Sequence, residues 1–74
     1  PGDLVVVHKQ GTARNGQTVV ALVNGEATIK TYIKKDAHIE LRPANEMMQP
    51  IMVRPSDEFQ IEGIVIGVIR HCTV

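Results

Sequence analysis

The sequence predicts a mainly β fold, a small domain of twisted antiparallel strands and hairpins. No apolar repeat with a helical period continues over a useful window. Short runs rich in β-branched residues alternate instead with turn sequences that contain Gly, Asn or Pro. Because 74 residues give a core only just large enough for one domain, we expect residues 1–74 to fold as a single domain.

The first three predicted strands include a hairpin with a strong turn signal. Residues 4–9 (LVVVHK) and residues 17–23 (QTVVALV) are predicted as strands, with a Gly-containing loop between them. Asn24-Gly25 then leads into a third strand over residues 26–35 (EATIKTYIKK). Asn-Gly between two β-rich runs is the strongest short-range hairpin signal, because both central residues of a type I′ turn need positive φ.

The remaining chain predicts three further strands of unequal length. Residues 37–43 (AHIELRP) form a fourth strand, and residues 51–53 (IMV) form a short fifth strand after an irregular segment bounded by Pro. Residues 59–71 (FQIEGIVIGVIRH) form a long final strand. A long apolar strand is a liability if its edge stays open, so we expect it to pair either with a second copy or within the monomer's own sheet.

The register of the predicted hairpin gives Lys30 an unusual position. Alternation along the strands places Lys30 between Val19 and Ala21, on the same face as Thr28 and Tyr32. An ammonium group among apolar neighbours loses hydration, which lowers a lysine pKa and suits the residue to act as a general base. The alternative is that its methylene groups cover Val19 while its nitrogen reaches water.

Composition and charge argue against several classes of protein. The formal net charge is zero and aromatic residues make up 3% of the chain, so it is poorly suited to bind phosphates or stack on bases. Cys72 is the single cysteine, which excludes an internal disulfide. The scattered histidines match no zinc-site spacing, so we expect no metal or cofactor. Without a long apolar run, a signal peptide or a lipidation motif, we expect a cytoplasmic protein with no membrane association.

Four blocks of sequence occur in an order that points to a known family. They are PGDLVVVHK, NGQTVVALVNGEATIK, IELRPAN with the QPI that follows, and IEGIVIGVIR. Together they resemble the carboxy-terminal domain of LexA-type repressors, which belong with UmuD and phage repressors among the self-cleaving Ser–Lys peptidases. The resemblance runs from Gly2 to about Arg70, and the blocks GEATIK and EGIVIGVIR fit the LexA type better than UmuD.

This resemblance implies that Lys30 is the general base. It would deprotonate a serine hydroxyl, which then attacks an Ala–Gly bond in the protein's own amino-terminal hinge. The family's serine lies in a GDSM-like segment shortly before the GDL motif, so we expect it upstream of Pro1 and expect the chain alone to be inactive. The one serine of the sequence, Ser56, lies in RPSDE and is predicted to be a turn residue.

The same resemblance implies the partners of the parent protein. A homodimer would form through the strand between Ile61 and Arg70, and would hold a palindromic operator through an amino-terminal DNA-binding domain that we expect to be absent from this chain. RecA filaments would stimulate self-cleavage and so derepress the DNA-damage (SOS) genes. The alternatives are a UmuD-type polymerase accessory, a prophage repressor, or a non-catalytic β interaction module in which Lys30 is an ordinary surface residue.

Overall fold

The computed structural model describes residues 3–70, which form one antiparallel sheet of six strands. The strands are β1 (Asp3–Lys9), β2 (Thr18–Val23), β3 (Glu26–Lys35), β4 (His38–Arg42), β5 (Ile51–Val53) and β6 (Phe59–Arg70). Their spatial order is β1-β6-β2-β3-β4-β5. The predicted fold class is therefore confirmed, and the predicted strand bounds differ from these by at most one residue. The predicted last residue of the final strand, His71, lies outside the described residues.

The β2–β3 hairpin forms as the Asn-Gly signal predicts. Asn24 and Gly25 both adopt positive φ, at 50° and 84°, as a type I′ turn requires. The register pairs Val23 with Glu26 beside the turn and Val19 with Lys30 further along. The predicted position of Lys30 in the hairpin is thus confirmed.

Asn24 also fixes the hairpin to the loop that precedes β6. Its main-chain N–H donates to the Glu58 carbonyl oxygen at 2.7 Å, and the Glu58 N–H donates to Asn24 Oδ1 at 2.9 Å. The Asn24 side-chain amide donates to Asp57 Oδ1 at 3.1 Å. Asp57 in turn accepts the Arg54 N–H at 2.8 Å, and this bond, followed by that from Asn24, holds the pKa of the Asp57 carboxyl below its ordinary value. The tip of the hairpin therefore has a fixed position relative to β6.

One face of the sheet carries the core, and we call it the core face. Its buried side chains are Val19, Ala21, Tyr32, Leu41, Ile61 and Ile64. Ile61 and Ile64 share this face although they are three residues apart, because β6 bulges between them. Ala21 pairs with Ile61 and Val19 pairs with Ile64, so Glu62 is the extra residue on β6.

The final strand lies inside the sheet over its first half. It pairs with β2 from Phe59 to Ile64 and with β1 from Gly63 to Arg70. The stretch from Ile61 to Ile64 is therefore paired with β2 inside the sheet, as the second of the two expectations for this strand had it. Only residues 65–70 have a side that faces away from β1 and has no partner strand among the described residues.

Residues 3–7 and 65–70 form a two-stranded extension, the β1–β6 ribbon, whose side chains are largely exposed. Leu4 is 65% exposed and Ile66 is 64% exposed. The other large hydrophobic side chains exposed on the ribbon are Val5, Val6, Val7, Val68 and Ile69. Over residues 3–70, no helix is long and apolar enough to cross a membrane.

Candidate functional site

Lys30 lies on the core face of β3 and its nitrogen turns back onto its own strand. Its direct partner on β2 is Val19, which is fully buried. The Lys30 side chain is half-buried, and its Nζ donates to Thr28 Oγ1 at 2.5 Å and to the Ile29 carbonyl oxygen at 3.2 Å. Both the apolar neighbours and the nearness of Thr28 were predicted. The hydrogen bonds to the strand itself were not predicted.

No carboxylate of the described residues forms an ion pair with Lys30. The ion pairs found in residues 3–70 instead join Glu40 to Lys35 and to Arg42. The hydrogen bond from Arg42 is the main reason why the pKa of the Glu40 carboxyl is lowered. The ion pair of Glu40 with Lys35 joins β4 to the end of β3, whereas Lys30 donates only to neutral oxygens.

An open groove lies beside Lys30 at the tip of the hairpin, with a volume of about 440 Å³. Thr28, the acceptor for Lys30, lines it together with apolar Val23 and Ile51. Glu26 and Asn24 form its polar side. The groove is large enough for one or two side chains, and Thr28 is the residue that both lines it and contacts the Lys30 nitrogen.

Ser56 is not part of this site. It is exposed in the β5–β6 loop, inside a turn that is closed by a hydrogen bond of 2.9 Å from Asp57 N–H to the Arg54 carbonyl oxygen. The prediction that Ser56 is a turn residue is confirmed. Within residues 3–70, no group of three or more His, Cys, Asp or Glu side chains could hold a metal ion.

The role of Thr28 was missed by the sequence reasoning. Thr28 precedes Lys30 by two residues, so both side chains point to the same face of β3. This spacing places a hydroxyl within reach of a flexible ammonium group. The pattern Thr-x-Lys on a strand was the available signal, because period two is enough to bring the two groups together.

Sequence comparison shows which known proteins this chain is similar to. The sequence matches the Peptidase S24-like family over residues 1–66. It is 60% identical over 70 residues to a LexA repressor of Syntrophotalea carbinolica, covering 95% of this chain and 35% of that protein. It is 51% identical over 70 residues to a LexA repressor of Syntrophobacter fumaroxidans, covering 95% of this chain and 34% of that protein. A LexA repressor of Actinobacillus pleuropneumoniae serotype 5b is 54% identical over 71 residues, again with 95% of this chain and 34% of that protein covered.

The chain spans about a third of the length of the curated relatives it matches. The family match covers most of the strands, including the whole β2–β3 hairpin with Lys30. The resemblance drawn from the sequence blocks is therefore confirmed, and the chain belongs to the Peptidase S24-like family, with LexA repressors among its relatives.

Proposed function

We propose that the chain is the main part of the carboxy-terminal self-cleavage and dimerisation domain of a LexA-type repressor. In this proposal Lys30 is the general base of a Ser–Lys pair. The observation that carries it is the position of Lys30 on the core face, where its nitrogen is held by Thr28 and Ile29 and has no carboxylate partner among residues 3–70. A carboxylate partner would favour the charged ammonium, which cannot accept a proton.

Two hydrogen bonds hold the Lys30 nitrogen against its own strand. A neutral Nζ has two N–H groups and one lone pair, whereas the ammonium has three donors and none. The Thr28 hydroxyl and the Ile29 carbonyl accept two N–H groups. In this proposal the remaining position on Nζ is the one that receives the proton of the serine hydroxyl.

The reaction follows from this arrangement. The Lys30 amine takes the proton of the serine hydroxyl as Oγ bonds to the carbonyl carbon of the scissile peptide. The carbon–nitrogen bond then breaks, and the proton passes from Lys30 to the leaving nitrogen. Water hydrolyses the resulting ester with Lys30 again as the base. As the family resemblance implies, the serine would come from a segment outside residues 1–74, and Ser56 in the β5–β6 loop takes no part.

The parent protein would be a repressor of the DNA-damage (SOS) genes. RecA filaments would favour its self-cleavage, and operator DNA would be held by its amino-terminal domain. The zero net charge of the present chain is consistent with a domain that does not itself bind DNA.

Dimerisation is proposed to use the second half of β6. Residues 65–70 have an unpaired side, and the exposed side chains of the β1–β6 ribbon offer apolar surface next to it. Antiparallel pairing of this edge with the same edge of a second copy is self-complementary and closes a two-fold dimer. The apolar ribbon would then be partly buried between the two copies.

Self-cleavage of the serine-containing parent protein tests the role of Lys30. Lys30→Ala is expected to abolish cleavage under all conditions in which the wild type cleaves itself, because no other group would take the serine proton. Lys34→Ala is the matched control, because Lys34 lies on the same strand with an exposed side chain. Equal cleavage by Lys30→Ala and Lys34→Ala would support the non-catalytic interaction module instead.

A further inference from the structure

A second cavity opens beside the β3–β4 turn, and we call it the turn pocket. Its volume is about 240 Å³, and it shares no lining residue with the groove at the hairpin tip. Rows of paired residues cross β3, β4 and β5 on the core face, and the row that contains Tyr32 and Leu41 is buried. The next row, formed by Lys34, Ile39 and Val53, borders the turn pocket. The pocket therefore lies where the core ends.

The turn pocket has an apolar lining that a ligand can reach. Ile39 and Val53 pack against the core and are half-buried, so part of each side chain stays uncovered. Ala37 and Pro55 add apolar surface from the two adjoining turns. The volume is below the roughly 300–1,000 Å³ of pockets that hold drug-sized ligands, so the turn pocket suits a smaller molecule with a short alkyl group.

Cationic side chains border the same pocket. Lys34, His38 and Arg54 line it, and none of them forms an ion pair within residues 3–70. Asp36 carries the one carboxylate among the described lining residues, and it has no ion pair in that part of the chain either. The lysine and the arginine therefore give the pocket a net positive charge, and the histidine ring adds an N–H donor.

Hydrogen bonds fix the main chain that carries Lys34 and Arg54. The Lys34 N–H donates to Asn15 Oδ1 at 2.6 Å, and the Lys34 carbonyl accepts the Asn15 side-chain amide at 3.2 Å. The Arg54 N–H donates to Asp57 Oδ2 at 2.8 Å, and the Arg54 carbonyl accepts the Asp57 N–H at 2.9 Å. Because β4 lies between β3 and β5, the two cations start from fixed positions on opposite sides of Ile39.

The geometry points to the turn pocket as a binding site for a small aliphatic carboxylate of about five or six carbon atoms. Its alkyl group lies against Ile39 and Val53, and its carboxylate is bound between Lys34 and Arg54. An inorganic anion lacks the alkyl group and an uncharged molecule lacks the carboxylate, so neither uses both parts of the pocket. The inference goes beyond the proposed function and does not depend on Lys30, which does not line the pocket.

Titration of the whole chain, residues 1–74, with isocaproate at constant ionic strength tests the pocket in amide and methyl NMR spectra. The methyl signals of Ile39 and Val53 and the amide signal of Lys34 are expected to shift and to saturate. Exposed ion pairs are weak and the apolar contact is small, so we expect a dissociation constant of about 1–10 mM. The uncharged isocaproamide should bind about tenfold more weakly, and inorganic phosphate should leave the methyl signals of the pocket unchanged.

Variants of the two cations provide a second test. Lys34→Met and Arg54→Met each remove one charge and keep a long side chain, and both positions are exposed, so the sheet is expected to remain folded. Each variant should bind isocaproate about twofold to fivefold more weakly, and the double variant about tenfold. Lys9→Met is the matched control and should bind like the wild type, because Lys9 is an exposed lysine of β1 that does not line the pocket.

Several results would overturn the inference. They are shifts that never saturate, equal affinities for isocaproate and isocaproamide, and equal affinities of the double variant and Lys9→Met for isocaproate. Tighter binding of N-acetyl-leucine than of isocaproate would overturn the assignment to a free acid and point to the last residue of a peptide. If the double variant does not fold, the comparison of acid and amide on the wild type decides alone.

Discussion

Of the glycines in residues 3–70, Gly63 has the least room for a side chain. A Cβ atom at this position would lie 2.4 Å from Val7 Cγ1 and 2.8 Å from the His8 carbonyl oxygen. Val7 could turn its side chain, but the His8 oxygen belongs to the main chain of β1 and can move only if the β1–β6 pairing loosens. The substitution Gly63→Ala therefore forces main-chain displacement at the junction of β1, β6 and β2.

The expected cost of Gly63→Ala follows from two opposing terms. Overpacking with main-chain shifts costs about 1–3 kcal/mol. The reduced freedom of alanine in the unfolded chain returns about 0.5–1 kcal/mol. The free energy of unfolding should therefore fall by about 1 kcal/mol at the central values, and by about 2.5 kcal/mol at most, measured by urea denaturation at constant protein concentration.

Gly67→Ala is the matched control on the same strand. Its Cβ would meet nothing nearer than Val6 Cβ at 3.9 Å, which is an ordinary contact. This variant should be as stable as the wild type or more stable by about 0.5 kcal/mol, for the same entropic reason. If Gly63→Ala proves as stable as Gly67→Ala, the close packing of β1 against β6 at Gly63 is wrong.

Three further predictions concern the site, the loop before β6 and the dimer. Thr28→Val should slow self-cleavage of the parent protein about tenfold, because one hydrogen bond from Lys30 is lost. Thr28→Ser keeps the hydroxyl and should cleave at the wild-type rate. A wild-type rate in Thr28→Val would show that the hydroxyl has no role. Because the pKa of Asp57 is lowered in the folded protein, its carboxylate contributes stability above the ordinary carboxyl pKa. This contribution is lost as the pH falls through the lowered value. The free energy of unfolding of Asp57→Asn, measured by urea denaturation, should therefore fall less than that of the wild type below about pH 4. Val68→Lys should raise the dissociation constant of the dimer in sedimentation equilibrium at least about tenfold, whereas Gln60→Lys, on the stretch of β6 covered by β2, should not.

Local sequence signals predicted the hairpin and the face of Lys30 because both depend on neighbouring residues. Asn24-Gly25 selects a type I′ turn, the turn sets the register, and period two then sets the face. The strand bounds followed for the same reason, since β-branched runs end at Gly, Pro and Asn. This part of the site needed no knowledge of the rest of the fold.

The order of strands could not be predicted in the same way. β6 lies between β1 and β2, and these pairings join residues that are far apart in the sequence. The bulge at Glu62 moves Ile64 onto the core face, where strict alternation from Ile61 would have placed it on the opposite face. Such shifts depend on packing between distant strands and leave no clear local pattern.

Among residues 3–70, the stretch 26–30 of β3 has no partner strand on the side away from β2, and this open edge could not be predicted from the sequence. It exists because β3 is longer than its pairing with β4, and the length of that pairing is set by the end of β4 at Arg42. After Arg42 the chain leaves the sheet through Pro43 and the turns that follow it. The sequence indicates that β4 ends near this proline, but the residues of β3 that are left without a partner follow only from the register.

The central claim is that the amine of Lys30 is the general base, and its chemical restoration tests this most directly. Lys30→Cys in the serine-containing parent, with Cys72 and any cysteine outside residues 1–74 replaced by serine, is alkylated with bromoethylamine to place an amine at the position of Nζ. The unmodified variant should not cleave itself, and the aminoethylated variant should regain cleavage. Cleavage by the unmodified variant, or none after complete modification of a folded protein, would contradict the role assigned to Lys30.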